Sequence, residues 1–359
     1  MDTKRNATLD VARGFTVFIM PGVHTVMLYS KLSVHHSLLG IILVFLAEGP
    51  GAQLFLLLMG ASITLSKPRT YKQIFVRGVI LFLYGYLLNL LRFGLPLLIH
   101  KLPTSFLTEN GIENNFYGVT QLFLALDILP TAGVAYIICG CIYKLKYYPG
   151  TALLVAIGVV LFSPWLWQLC VQGNIYNVPI NLLAGTPPDS FFPLFPWLCY
   201  PLLGLVIGYG LKQVKASGSY ASLLLLGILC IVARQLLSQY EPASWNDNFY
   251  RPGPAATVYH TGIVCIWLCL CNIAVFLFPC FIFFQLLCWL SRHITLVYFT
   301  QWILILWMFP FIGFHELGLV PSIIALIIIS VLSFGATYLI LNFKVLLLSI
   351  KKRRMHTQE

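Results

Sequence analysis

Apolar stretches of about twenty residues follow one another along this chain, separated by loops that hold most of its charge. A helix of that length crosses the ~30 Å hydrocarbon core of a bilayer, where every backbone polar group must be satisfied within the protein. Only helices and closed barrels meet that condition. Barrel strands would show period-two alternation, which these runs lack. With 59% hydrophobic and only 9% charged residues among 359, the composition excludes a soluble globular domain. The chain reads as an all-α, polytopic membrane bundle forming a single transmembrane domain over residues 1–359.

The runs place ten spans at about 10–30, 50–66, 73–92, 120–143, 151–169, 192–211, 221–238, 258–278, 293–312 and 319–343. Two further apolar pieces read as short re-entrant or interfacial helices: residues 37–47, ahead of Gly49-Pro50-Gly51, and residues 279–291, after Pro279. The first run continues from Asp10 to Tyr29 without a small-x-small cleavage site, so it is expected to be retained. Of the 22 basic residues, 17 fall on one side of this alternation: Lys4, Arg5, Arg13, Lys67, Arg69, Lys72, Arg77, Lys144, Lys146, Lys212, Lys215, Arg292, Lys344 and the tail Lys351–Arg354. By the positive-inside rule both termini are cytoplasmic. The net charge of +11 is mostly this topology signal and gives no reason to invoke nucleic acid. An integral protein of a bacterial-type inner membrane is expected. A homo-oligomer is compatible with such a chain.

The ten cysteines lie almost entirely in apolar runs, where thiols pack as small hydrophobes. No disulfide framework emerges, and Cys170 near an outer loop has no evident partner. Cys269 and Cys271 lack a second ligand pair, so no metal is expected.

Polar residues inside the spans carry the chemical information, because an ionisable group in a bilayer costs about 2.5 kcal/mol or more and is usually retained for use. Asp10 and Arg13 stand one turn apart at the inner mouth of the first span and can pair on one helix face. His24 lies ~21 Å further along, in the outer third. Pro21 and Gly22 just before it suggest a kink that opens a cavity beside the imidazole. An imidazole so placed can serve as general base toward a hydroxyl or amine, or as a nucleophile carrying an acyl group. His35 and His36, eleven and twelve residues on, are a second pair of candidates. Glu48 and Asp127 are carboxylates too short to snorkel far, and Asp127 precedes Pro130 as if at a broken helix lining a polar cavity. With Asn89, Arg92 and Arg234 they are candidates to contact substrate, although Arg234 is near enough to its span's outer end to snorkel. Lys67, Arg69, Lys72 and Arg77 can hold phosphate or pyrophosphate, a role that topology bias explains equally well.

The long loops at 93–119, 170–191 and 239–257 are all outer, and loops of that length in a tight bundle are usually functional. Their aromatic residues Phe116, Tyr117, Tyr176, Trp245, Phe249 and Tyr250 suit either stacking on sugar faces or an interfacial belt.

Several motifs resemble the transmembrane acyltransferases typified by heparan-alpha-glucosaminide N-acetyltransferase, and more distantly the acyltransferase-3 proteins of bacteria. They are Leu9-Asp10-x-x-Arg13-Gly14 with His24, Met59-Gly60-Ala61-Ser62-Ile63, Asp127-Ile128-Leu129 with Gly133-Val134-Ala135-Tyr136, and Phe192-Pro193-Leu194-Phe195-Pro196-Trp197 with Gly204 and Gly208. The resemblance implies transfer of an acetyl or other acyl group from cytoplasmic acyl-coenzyme A to a glycan or glycolipid hydroxyl or amine on the outer side. In the heparan branch a histidine after the first span carries the chemistry, which matches His35, while His24 stands where that branch has asparagine. In the acyltransferase-3 branch the first-span histidine is essential, which matches His24. The resemblance leaves the assignment between the two open. Gln301, in Tyr298-Phe299-Thr300-Gln301-Trp302, stands where relatives often have histidine. The competing reading is an exporter of a lipid-linked or sugar substrate, which would more often show inverted repeats with paired broken helices; none is evident here.

Overall fold

The computed structural model describes residues 6–168, 177–213, 216–242 and 248–356. Cys170, Tyr176 and Trp245 lie outside the described residues. Among the described residues nine helices are long and apolar enough to cross a membrane: α1 (Ala7–Tyr29), α2 (Leu38–Leu65), α3 (Tyr71–Leu98), then α6, α7, α8, α9, α11 and α12 as defined below. Between them lie α4 (Phe116–Leu124) and α5 (Ile128–Tyr143). Next come α6 (Tyr148–Trp167), α7 (Leu194–Gln213), α8 (Gly218–Leu237) and α9 (Pro254–Leu277). The short α10 (Ile282–Arg292) precedes α11 (Ile294–Ile312) and α12 (Leu319–Phe343). The chain is an integral membrane bundle.

The fourth expected span is the one that differs. It is divided into α4 and α5, and the break at Ala125–Asp127 is where the backbone leaves helical geometry. Asp127 caps α5 by accepting from the Ile128 amide at 2.7 Å. Leu126 pairs with the 189–191 segment instead, its amide donating to Asp189 at 2.9 Å and its carbonyl accepting from Phe191 at 2.8 Å. Irregular backbone at this depth is thus satisfied by protein.

Residues 37–47 are not a separate piece. They begin α2, a continuous 28-residue helix in which Gly49-Pro50-Gly51 produces one π-helical turn, Ala47–Gly51, rather than a break. Residues 279–291 do form a distinct helix. α10 runs antiparallel to the inner part of α1: Ser291 meets Asp10, the Leu287 backbone lies against Gly14, and the Phe283 ring meets Phe18 at 5.1 Å. Likewise Gly22 opens no void beside His24; it admits the Leu326 side chain of α12.

The core is built around α2 and α7, and the sequence motifs explain why. A methyl at Gly60 would overlap the Pro201 carbonyl, and one at Gly204 would overlap the Leu57 carbonyl, so the two helices touch backbone to backbone. Arg13 reaches across from α1 to the Leu58 carbonyl at 3.0 Å and to Ser62 Oγ at 2.6 Å. Three motifs distant in sequence therefore meet in one contact. Gly60→Val is expected to destabilise the protein by about 1–3 kcal/mol through overpacking. Gly335→Ala, where a methyl meets nothing within 4 Å, should leave it unchanged or slightly stabilised. Thermal unfolding in detergent separates the two, and equal melting temperatures would refute the packing account.

Candidate active site

Counted at ~1.5 Å per residue from the helix ends on the lysine- and arginine-rich face, His24 on α1, Glu48 on α2, Asn89 on α3 and Asp127 at the head of α5 all lie on the order of 25 Å deep. Four of the polar positions singled out from sequence thus share one level. Three of them, His24, Asn89 and Asp127, are linked through Arg92 and Trp302.

Arg92 and Asp127 form a buried ion pair, Nη2 to Oδ2 at 2.8 Å. Asn89 Oδ1 accepts from Arg92 at 3.0 Å, and Asn89 Nδ2 donates to the carbonyls of Ala125 and Phe123 at 2.6 and 3.1 Å. Asn89 therefore ties the break before α5 to α3. The Tyr298 hydroxyl donates to Asp127 Oδ2 at 2.7 Å. The Arg92 guanidinium lies 4.5 Å from the Trp302 ring centroid, and His24 packs on the same indole at 4.2 Å. His24 Nδ1 stands 3.4 Å from Gln301 Nε2. This polar cluster is thus assembled from α1, α3, the α4–α5 break and α11.

Three of its polar atoms have no hydrogen-bond partner among the described residues: Gln301 Oε1, Arg92 Nε and Trp302 Nε1, the first two on side chains that are 0% and 2% exposed. Leaving a buried polar atom unpaired costs about 1–3 kcal/mol, so a polar guest is favoured there. Sequence reading missed Tyr298, Gln301 and Trp302 as site residues. The signal was available in their spacing, since positions i, i+3 and i+4 face one way on a helix.

The outer loops close over this level. The Trp197 indole donates to the Tyr250 carbonyl at 2.8 Å, Thr131 donates to the Phe192 carbonyl, and Arg251 reaches the Ala184 and Gly185 carbonyls. Tyr250 packs on Phe191 and Phe249 at 5.5 and 5.2 Å. Burial, then the neighbouring charges of Glu48 and Asp127, push its hydroxyl up to about 12, so it remains a hydrogen-bond donor. Phe116 instead projects outward, 79% exposed.

On the basic face, Lys67, Arg69, Lys72 and Arg77 line one groove of about 830 Å³ with Tyr84 of α3 and Thr295 of α11. Arg69 is oriented by the Tyr136 hydroxyl at 2.9 Å, and the Arg77 guanidinium lies 5.7 Å from the same ring. The lining residues reach Tyr84 on α3, and Asn89 of the polar cluster follows ~8 Å further along the helix. Groove and cluster therefore both involve α3 and α11.

Five candidates, Asp10, Arg13, Arg234, His35 and His36, lie elsewhere. Asp10 accepts from Ser291 Oγ at 3.0 Å, so it engages α10 while Arg13 engages α2. Arg234 is exposed, its guanidinium 4.5 Å from the Tyr259 ring centroid. His35 is at the outer end of α1, its Nε2 3.1 Å from the Val26 carbonyl. His36 is exposed. Among the described residues no cluster of His, Cys, Asp or Glu is placed to hold a metal ion.

The model of the heparan-alpha-glucosaminide N-acetyltransferase catalytic family matches residues 5–244, two thirds of the sequence. The chain belongs to this family. It is accordingly a transmembrane acetyltransferase. A comparison with curated proteins finds no match. The matched region of this N-acetyltransferase homologue contains His24, His35, Asn89, Arg92, Asp127 and the basic groove, while Tyr250, Tyr298, Gln301 and Trp302 lie beyond it. The segments that interlock α1, α2 and α7 lie within the matched region.

Proposed function

We propose that the protein transfers the acetyl group of cytoplasmic acetyl-coenzyme A to an amine or hydroxyl of a glycan or glycolipid at the extracytoplasmic face, in a cytoplasmic-type membrane. The observation that carries this reading is the groove with four cationic side chains whose walls, α3 and α11, continue to the buried polar cluster of Arg92, Asp127 and Gln301. Phosphates would be held at Lys67, Arg69, Lys72 and Arg77 by charge-assisted hydrogen bonds, with the acyl end directed up the groove toward His24. Among these buried groups Arg92 Nε–H is a donor that can meet a developing oxyanion, while Gln301 Oε1 can accept from the acceptor's hydroxyl or amine. The acceptor would approach from the outer loops, beside Tyr250 and Glu48.

His35 is assigned as the base that takes the acceptor's proton, and His24 as the imidazole that orients the acyl group. His35 is half-buried at the outer end, where an acceptor has access. His24 is inside, against Trp302 and Gln301. In the transfer the acceptor heteroatom bonds to the acetyl carbon, its proton passes to His35, and the carbon–sulfur bond breaks with the electron pair leaving on the coenzyme's sulfur.

Membranes containing the protein, given acetyl-coenzyme A labelled in the acetyl group and a glucosamine-terminated acceptor, should transfer label to the sugar. Replacing Lys67 and Arg69 together with Ala should raise KM for acetyl-coenzyme A about tenfold with kcat little changed, the loss of roughly one charge-assisted contact. Calorimetric absence of coenzyme A binding by the detergent-purified protein would overturn the donor assignment and favour an exporter.

A further inference from the structure

The outer half of α6 carries a second concavity, far from the basic face. Val155, Gly158, Phe162, Trp165 and Leu166 of α6, with Phe195 of α7, line a groove of about 640 Å³. Apolar residues line it throughout. Gly158 leaves room in its middle, since a methyl built there meets nothing within 4 Å. Phe162 and Trp165 are 57% and 67% exposed, so this wall faces the bilayer. From Val155 to Leu166 the helix rises ~16 Å, about the depth of one leaflet of a ~30 Å hydrocarbon core.

The outer end of this groove is joined to the loops that close over the polar cluster. The Trp167 indole, at the end of α6, donates to the Phe195 carbonyl at 3.0 Å. Two residues on, the Trp197 indole donates to the Tyr250 carbonyl at 2.8 Å, and its ring packs on Phe192 at 4.7 Å. Phe192 in turn meets the Tyr250 ring, with centroids 6.4 Å apart. Arg251, the residue after Tyr250, reaches back to α6, its guanidinium 5.9 Å from the Trp167 ring centroid. A cation therefore stands at the head of an apolar groove, the complement of a lipid with an anionic headgroup. One continuous set of contacts holds the groove and Tyr250 together.

We propose that the acceptor is lipid-linked: a sugar joined through an anionic headgroup to a hydrocarbon tail, with the tail in the α6 groove and the sugar beside Tyr250. This rests on the reading that the acetyl acceptor enters at the outer loops. The tail gains little hydrophobic energy on entering the groove, because the surrounding lipid chains are equally apolar. What the groove supplies is position. Close van der Waals contact along one tail fixes where its headgroup stands, and holding a reactant in place is worth a large effective concentration at the site. A sugar dissolved in water has no such hold.

The test compares acetyl transfer by the full-length protein in phosphatidylcholine vesicles to methyl glucosaminide, which is water-soluble, and to a long-chain alkyl phosphate of glucosamine. The native protein should prefer the tailed acceptor in kcat/KM. Gly158→Leu puts a side chain where the tail would lie and should reduce that preference about tenfold or more, the cost of overpacking. Gly158→Ala should reduce it less. The same glycolipid with a photoreactive diazirine in its tail should label α6 around Phe162, and excess unmodified glycolipid should displace the label; this readout on the native protein decides the matter if Gly158→Leu fails to fold. An unchanged preference in folded Gly158→Leu would overturn the proposal. So would labelling of α6 by a diazirine-bearing phosphatidylcholine that the glycolipid does not displace, which makes the groove a site for bulk lipid, or crosslinking of α6 to a second copy of the chain. Displaceable labelling of α6 without acetyl transfer to either sugar would instead overturn the reading of the outer loops as the acceptor entrance.

Discussion

Arg92→Ala is expected to cost about 3–5 kcal/mol of stability and to abolish acetyl transfer, because it leaves Asp127 as an uncompensated carboxylate in the bundle interior. The estimate follows from the geometry: a 2.8 Å ion pair whose partners are 2% and 8% exposed, with Tyr298 and Asn89 bonded to it. Asp127→Ala should be similarly damaging, since it strands the guanidinium between aromatic rings and also removes the cap of α5. Replacing both by leucine should cost less than the two single losses together, as in a double-mutant cycle across a direct contact. Unfolding of the four proteins in the same detergent measures this. A single-variant loss below about 1 kcal/mol would mean that the pair is not dry in the membrane-embedded protein.

The second large effect concerns the histidines. His35→Ala should lower kcat by about 10²–10⁴, the range for loss of a general base, with acetyl-coenzyme A binding intact. His24→Ala should also reduce transfer while the fold persists, because the imidazole packs on Trp302 without belonging to the ion pair. The assay is transfer of acetyl label with coenzyme binding measured in parallel. If both variants retain full activity, the acyl-transfer mechanism assigned here is wrong. Loss in His35→Ala alone would reduce His24 to a packing residue.

Much of the architecture was legible before any coordinates. Span positions followed from run length, because a bilayer demands about twenty apolar residues whatever their neighbours. The break at Asp127 was legible from a carboxylate ahead of Pro130. The continuity of α2 was not, since Gly49-Pro50-Gly51 reads as a stop; a π turn accommodates it because packing, not propensity, holds that helix. The inner position of Asp10 and Arg13 was equally plain, yet their divergence to Ser291 and Ser62 depends on α10 and α2, which spacing along one helix does not encode.

For the site, residue type was informative and partnership was not. Asn89, Arg92, Asp127 and His24 each stood out as polar groups in apolar runs. That Arg92 and Asp127 are one ion pair, and that His24 shares an indole with Arg92, depends on three helices packing in one arrangement. His315 is not marked out by its own stretch of sequence. Its contact with His35 spans 280 positions, closed by a loop that returns to α1.

The amino-acid order thus determined the solvent of this protein, where most of its long apolar helices lie and the kinds of groups it keeps at depth, because those follow from local hydrophobicity and charge. Which groups face one another, and hence where the imidazoles, the buried ion pair and the cationic groove lie, was decided by helix packing. Electrostatic and hydrogen-bond chemistry acts over a few ångströms, and only the tertiary arrangement brings such distant residues within that range.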